Sequence, residues 1–322
     1  MDIVPGDGSD LVWNDFAFDG QNLIYLLDGT QVVVDRYSAD GKWLGSGTYR
    51  GQGPGEFQQY PAIHGVERGF WLTKYDHVAR FDNTGKLEVE KRLSKFDRKQ
   101  MALDKTRLLF VRDRHHQDRS WQSQLLLTDI QTDLTKGMVL FDGANLGHRR
   151  LVTSSVQATV FFDDGVLPDI FFTHASWRKI IAAGLMETSE LSLFDYQGHL
   201  LKTIKLPLKP LPLQETDRRI LADSMMQTDP EVVKGLKKLL PEAFLPIRAL
   251  HLLGPSWLLV EKFFAADDVR YLCFDETGSA LGELKFPGDR KILKLKCQGA
   301  MVAMLVEEDE LNRFVVYSIA IH

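Results

Sequence analysis

With 322 residues, 44% of them hydrophobic and 10% aromatic, the chain can hold two ordinary domains or one large all-β domain with a continuous core. A net charge of −5 argues against nucleic acid as the main partner, because phosphate binding calls for net basic surface. No apolar run approaches the roughly 20 residues that span a bilayer, and the start, MDIVPGDGSD, lacks the basic head and apolar middle of a signal peptide. The expected location is therefore the cytoplasm, or the periplasm or cell surface if an export signal has been removed. Cys273 and Cys297 are too few for a disulfide framework and are expected as free thiols.

In chain order, strand-like runs come first at residues 15–18, 22–27, 32–37 and 43–48. The last two are joined by Tyr37-Ser38-Ala39-Asp40-Gly41. This pattern returns as Phe81-Asp82-Asn83-Thr84-Gly85, Phe194-Asp195-Tyr196-Gln197-Gly198 and Phe274-Asp275-Glu276-Thr277-Gly278. It predicts a short hairpin. Asp or Ser bonds to the turn's own backbone, two residues make a type I turn, and Gly takes the left-handed position that restores the strand register. The preceding aromatic is expected to point between neighbouring sheets. Recurrence of the hairpin indicates an internal repeat.

Residues 47–63 read GTYRGQGPGEFQQYPAI, with Gly51, Gly53 and Gly55 around Pro54. The backbone there must bend through conformations that only glycine reaches without steric cost. Read as a phosphate loop the stretch fails, since Pro54 removes an amide donor and no Gly-Lys-Ser/Thr follows. Strand, glycine-rich crossing and new strand resemble the hinge between two blades of a β-propeller. The wording GQGPGEF is similar to the crossings of NHL-type repeats and of the bacterial six-bladed propellers related to them. The resemblance implies one all-β domain over residues 1–322, a six-bladed β-propeller.

Four strands are then expected per blade. Blade 2 takes residues 62–66, 69–73, 78–81 and 87–91, and blade 3 takes 101–103, 108–111, 123–127 and 138–141, with a degenerate turn at 130–133. The outer strands of blade 4 fall at 190–194 and 200–206, while 156–183 offers more strand-like material than two inner strands need. Blade 5 takes 247–252, 257–262, 270–274 and 281–286, and blade 6 takes 293–296, 300–306 and 314–319. Because the last blade has three strands, the N-terminal residues 1–11 are expected to supply its fourth and close the seam. A seven-bladed ring using 152–162 is the alternative. Residues 214–241 are expected to form a short helical insertion between blades 4 and 5. Ile220, Leu221, Ser224 and Met225 follow helical spacing, Thr228-Asp229-Pro230-Glu231 reads as a capping box, and Pro241 stops the second helix.

Propeller topology places the connections from second to third strand on the same face as the blade-to-blade crossings. The long loops 50–59, 112–121, 143–150 and 263–269 and the helical insertion all fall there, so binding is expected on that face around the central channel. Its basic residues are Arg50, Lys95, Arg98, Lys99, Arg112, Arg114, His115, His116, Arg119, His148, Arg149 and Arg150. Its acidic residues, in blades 5 and 6, are Asp267, Asp268, Glu307, Glu308, Asp309 and Glu310. This polarity suits an anionic ligand or an acidic partner segment met by arginine forks. Glu56 is expected to bond to amides of the crossing, or else to face the channel. Phe263 and Phe264 are adjacent on an extended chain and cannot both face inward, so a contact surface is expected there.

Other chemistry is weaker. His115-His116 with Asp113 and Asp118 suggests a metal, but adjacent histidines diverge and no third ligand stands at a recognisable spacing, so a solvated loop is expected. No resident cofactor is expected, with calcium at the channel mouth as the one candidate; Asn14, Asp15 and Glu56 are available to it. Ser154-Ser155 stands in no G-x-S-x-G nucleophile elbow. The expected function is non-catalytic binding of a protein, a small anionic ligand or a glycan. The resemblance implies as alternative a channel-mouth metal-dependent hydrolase or lyase, as in lactonase-like and amidating-lyase propellers. RNA binding by NHL-type rings is disfavoured by the acidic total.

Overall fold

The computed structural model describes residues 1–3, 12–74, 77–93, 97–115, 121–132, 137–144, 148–152, 157–161, 170–175, 178–185, 189–216, 218, 242–244, 247–254, 256–263, 268–286, 291–308 and 311–318. After a short strand β1 (Asp2–Ile3), the chain forms blade 1 from β2 (Asp15–Phe18), β3 (Ile24–Asp28), β4 (Val33–Tyr37) and β5 (Trp43–Thr48). Blade 2 is β6 (Ala62–Gly65), β7 (Phe70–Lys74), β8 (His77–Phe81) and β9 (Leu87–Arg92). Blade 3 is β10 (Asp97–Ala102), β11 (Arg107–His115), β12 (Trp121–Asp129) and β13 (Met138–Ala144). A separate hairpin, β14 (His148–Val152) with β15 (Gln157–Phe161), comes before blade 4. That blade is β16 (Ile170–Ala175), β17 (Ile180–Leu185), β18 (Glu190–Asp195) and β19 (Leu200–Lys205). A two-stranded ribbon, β20 (Leu211–Pro212) with β21 (Ala243–Phe244), precedes blade 5: β22 (Ile247–Leu253), β23 (Ser256–Phe263), β24 (Asp268–Phe274) and β25 (Ala280–Glu283). Blade 6 takes β26 (Lys291–Gln298), β27 (Met301–Glu308) and β28 (Leu311–Ser318) from the end of the chain.

Each blade is a four-stranded antiparallel meander, and the fold is all-β, a six-bladed β-propeller. The fourth strand of blade 6 is β1, which pairs antiparallel with β28 through Asp2↔Val315 and Ile3↔Phe314. The chain start thus covers an edge that would otherwise expose a row of backbone donors and acceptors. Residues 4–11 of the expected closing segment lie outside the described residues. Among the described residues, the stretch weighed for a seventh blade pairs within β14–β15, and the inner strands of blade 4 lie after it. Of the helical insertion, Glu215, Thr216 and Arg218 are helical and Arg218 N donates to Gln214 O at 3.0 Å; residues 219–241 lie outside the described residues.

The chain divides into two compact units. One is Met1–Arg112 with Leu125–Leu140 and Phe286–His322; the other is Asp113–Gln124 with Phe141–Lys285. In the first, strand β3 shows why its run IYLLD is buried throughout. Tyr25 and Leu27 pack with Ile63, Phe70, Leu72 and Phe81 of blade 2. Ile24 and Leu26 face the other way, onto Ala303, Leu305 and Phe314 of blade 6. Side chains alternate across a strand, so a sheet sandwiched between two others reads as continuous apolar sequence rather than as polar alternation. A third cluster joins blades 2 and 3 through Trp71, Val78, Leu108, Phe110 and Leu126. In the second unit, Phe171, Leu191 and Leu193 of blade 4 pack with Leu250, Leu252 and Trp257 of blade 5.

The repeated hairpins are as the sequence predicts. Gly41, Gly85, Gly198 and Gly278 have φ of +84°, +89°, +87° and +93°. In the third of these hairpins Asp195 Oδ1 accepts the amides of Gln197 and His199 at 2.8 and 2.9 Å, and Asp82 and Asp275 do the same in theirs. Tyr37, Phe81 and Phe274, the aromatics before the turns, lie in the clusters between blades 6 and 1, 1 and 2, and 4 and 5.

Candidate binding surface

The first strands of blades 6, 1 and 2 are joined by one ion pair, buried at its carboxylate and half-buried at its ammonium. Lys296 on β26 meets Asp15 on β2 at 2.8 Å, and Lys294 lies 3.7 Å from the same carboxylate. Asp15 also accepts the amides of Phe16 at 2.8 Å and Ile63 at 3.2 Å. Lys296 donates to the carbonyls of Phe16 and Ile63 and lies over the Phe16 ring, 5.2 Å from its centroid. A first strand has no partner on one side, so its outward amides and carbonyls need other groups. The carboxylate takes the two amides and the ammonium takes the two carbonyls. Burial alone would raise the Asp15 pKa, but the charges of Lys294 and Lys296 outweigh it and hold the carboxyl well below the usual range. Burial pulls the Lys296 ammonium below the usual lysine range, and Asp15 opposes that shift. Asp15, considered above as a calcium ligand, is thus engaged by lysine and backbone. Asn14 Oδ1 accepts the Gly29 amide at 3.0 Å.

The crossing from blade 1 to blade 2 is held just as closely. Glu56 Oε2 accepts the Gly53 amide at 2.8 Å, the backbone role expected of it. Any Cβ on Gly51, whose φ is +155°, would stand 2.0 Å from that oxygen, so the carboxylate occupies the space that glycine leaves. Glu90 Oε2 takes the Gly55 amide at 3.1 Å while its other oxygen meets His77 Nε2 at 2.8 Å. The His77 ring stacks on Phe57, with centroids 4.2 Å apart. Arg50, bridged to Phe57 through the backbone, is exposed.

The basic residues read as loop are placed differently. Arg112, Arg114 and His115 belong to β11, because the hairpin is longer at both strands than its apolar core suggested. Arg112 is buried, its guanidinium 5.1 Å from the Phe110 ring centroid, while Arg114 is exposed. Beside them Ser123 Oγ donates to buried Asp113 at 2.6 Å, and Gln122 Nε2 bonds to both carboxylate oxygens of Asp142 at 2.9 and 2.8 Å. Arg149 and Arg150 lie in β14, opposite Val160 and Thr159. Phe263 ends β23, opposite Asp268. His116 and Phe264 lie outside the described residues. Two of the acidic residues are paired within blade 6, Glu307 with Lys291 at 2.9 Å and Glu308 with Arg313 at 3.2 Å. Among the described residues no group of three or more His, Cys, Asp or Glu stands close enough to hold a metal ion.

Hairpin length distinguishes the blades. The second and third strands have five residues each in blades 1 and 2. They have nine each in blade 3, eight and seven in blade 5, and eight each in blade 6. At about 3.3 Å per residue, nine residues reach ~30 Å and five ~16 Å. In blades 5 and 6 the first strand lengthens with the hairpin, β22 pairing as far as Glu261 and β26 as far as Glu307, whereas in blade 3 the register of β10 ends at Arg112 and β11 runs on as an arm to His115. Charged residues along β11 concealed this in the sequence, since a run such as VRDRHH reads as loop.

No protein-family model matches the chain, and no curated protein matches it. Solved structures are similar to it at low identity. The β-propeller domain of Cps50 (Swd1) from Myceliophteria thermophila is 9% identical, with 99% of this chain and 100% of that one covered and a TM-score of 0.48. Virginiamycin B lyase from Staphylococcus aureus is 9% identical over 99% of both chains, with a TM-score of 0.47. BamB from Moraxella catarrhalis is 12% identical over 96% of this chain and 78% of that one, with a TM-score of 0.39. No functional statement follows from these likenesses.

Proposed function

We propose that the protein is a non-catalytic binding module whose partner docks where the second-to-third-strand hairpins and the crossings emerge. The observation that carries this reading is the arm of blade 3, where β11 runs to His115 past the end of its pairing with β10 at Arg112, while blades 1 and 2 keep five-residue strands. A scaffold has no packing need for such an arm, and a rigid hairpin presents side chains to a partner at low entropic cost. Supporting it, the buried carboxylates Asp15 and Asp19 hold backbone amides, and Asp35 holds the Trp13 indole. The partner class is a protein segment or small ligand bearing negative charge, met by exposed Arg114 on its arm, with Arg149 and Arg150 of β14 as further candidates in the same unit.

The test is a screen of sulfated and carboxylated glycans, nucleotides and acidic peptides against wild type and an Arg114/Arg149/Arg150→Ala variant. A binder that weakens with rising salt and loses roughly tenfold or more in the variant is expected. A salt-indifferent binder, or one unchanged by the three substitutions, rejects the charge-based reading. Turnover that depends on added calcium or zinc would favour a hydrolase or lyase instead.

A further inference from the structure

The outer strand of a blade is a free edge, and natural edges are guarded by charged side chains against pairing with another chain. Here β9 carries Glu88, Glu90, Lys91 and Arg92, and β13 carries Asp142. Strand β19 has Lys202 and Lys205, β25 has Glu283, and β1, the outer strand of blade 6, has Asp2. Strand β5, Trp43-Leu44-Gly45-Ser46-Gly47-Thr48, has no charged residue. It stands last in the order β2-β3-β4-β5, so its far side has no strand partner among the described residues. Tyr49 N donates inward to Val32 O at 2.8 Å, and bonding direction alternates along a strand, so the amide and carbonyl of Thr48 point outward. At the start of the edge Trp43 is 59% exposed and Leu44 47%. Trp43 is the largest apolar side chain left open among the described residues.

The charges at the two ends of the strand select the occupant. Exposed Asp40 stands in the turn before β5, and exposed Arg50 follows its end. Antiparallel pairing about a two-fold axis sets the start of one strand beside the end of the other. With Gly45 on the axis, Asp40 of each copy lies beside Arg50 of the other, and Lys42 lies beside uncharged Thr48. Moving the axis to Ser46 would set Lys42 against Arg50, so charge also fixes the register. The edge is complementary to itself. We propose that the protein forms a two-fold dimer by antiparallel pairing of β5 with β5 of a second copy. Trp43 and Leu44 of both copies flank the joined edge. The bulge beside Tyr37 bends β5 at its start, so regular pairing is short. An interface under about 1,200 Å² and micromolar association are expected. The contact uses none of the arginines of the anionic docking proposed above.

Sedimentation velocity on the full chain, from roughly 1 to 200 μM, should show a monomer–dimer equilibrium. Trp43→Ala should weaken the dimer roughly tenfold, as for an aromatic anchor. Thr48→Pro removes an outward amide that blade 1 does not use, so it should abolish the dimer and leave the melting temperature of the monomer unchanged. Asp40→Arg and Arg50→Asp should each weaken self-association roughly fivefold or more, since each sets like charges together at both ends. An equimolar mixture of these two variants should dimerise as wild type does, because both ends of the mixed pair again join opposite charges. The proposal is overturned if the chain stays monomeric across that range, which would leave the edge to a different partner. It is equally overturned if the dimer ignores Trp43→Ala and Thr48→Pro, or if mixing the two charge variants restores nothing.

Discussion

The two ends of a blade are built on opposite principles. Where first strand turns to second and third to fourth, one device recurs: an aspartate or serine side chain closes a tight turn. Asp19 takes the amides of Gln21 and Leu23, and Asp104 those of Thr106 and Arg107. Asp82, Asp195 and Asp275 close the outer turns, with Ser38 in the same role in blade 1. At the other end the device closes the blade 1 hairpin, where Asp28 takes the amides of Thr30 and Gln31. Strand length there varies from blade to blade, with five residues in blade 1 and nine in blade 3, and an exposed tyrosine, Tyr60, stands at φ +51° before blade 2. Repetition at one end is the mark of a scaffold. Divergence at the other, on the same scaffold, is where selection for binding leaves its trace.

If that division is right, substitutions in the scaffold should cost stability and leave binding alone. The largest cost is expected at the clamp between first strands. Asp15→Ala should destabilise by about 2–4 kcal/mol, since it leaves the half-buried Lys296 charge without its partner and the amides of Phe16 and Ile63 without their acceptor. The double variant Asp15→Ala/Lys296→Met should lose clearly less than the sum of the singles in denaturant melts. The same pair gives a pH signature. The folded pKa of Asp15 lies below its unfolded value of roughly 3.9, so its stabilisation is complete above that pH and is lost as pH falls through the folded value. Acid unfolding should accordingly be shallower in Asp15→Asn.

Removing residues 1–10 should cost about 2–3 kcal/mol, from the exposed edge of β28 and the lost burial of Ile3. An unchanged thermal transition would rule out closure by the N-terminus. Gly278→Val should cost about 1–3 kcal/mol, because φ is +93° and the new Cβ would lie 2.6 Å from Ile204 Cγ2 and 2.8 Å from Lys205 O. The smallest effect has the opposite sign. Blade 1 uses Asn22 at φ +62° between its first two strands, while blade 4 uses Lys179 at +51°. Lys179→Asn should stabilise by about 0.5–1 kcal/mol, visible as a raised melting temperature. All these variants are expected to bind as wild type does.

Local patterns were legible in the sequence and long-range ones were not. The turns at Gly85, Gly198 and Gly278 need only five consecutive residues, and the Glu56 bond to Gly53 spans three, so residue type and spacing suffice. The Asp15–Lys296 clamp joins positions about as distant as the chain allows, Lys296 and Phe16 being 280 residues apart. No local signal announces it. Arg112 misled for another reason. Its charge reads as solvent, yet its long stem lets the guanidinium reach the Phe110 ring within a buried strand. Tyr60 gave no warning because αL geometry is unmarked when the residue is neither glycine nor asparagine.

The division between the two ends is tested most directly by hydrogen exchange on the full chain, free and saturated with a binder found in the anionic screen. Protection on binding is predicted along β11–β12 or β23–β24 or at residues 49–61, with the amides of 82–86, 195–199 and 275–279 unchanged. Protection centred on those aspartate-capped turns, with none in the arms or the crossing, would contradict it.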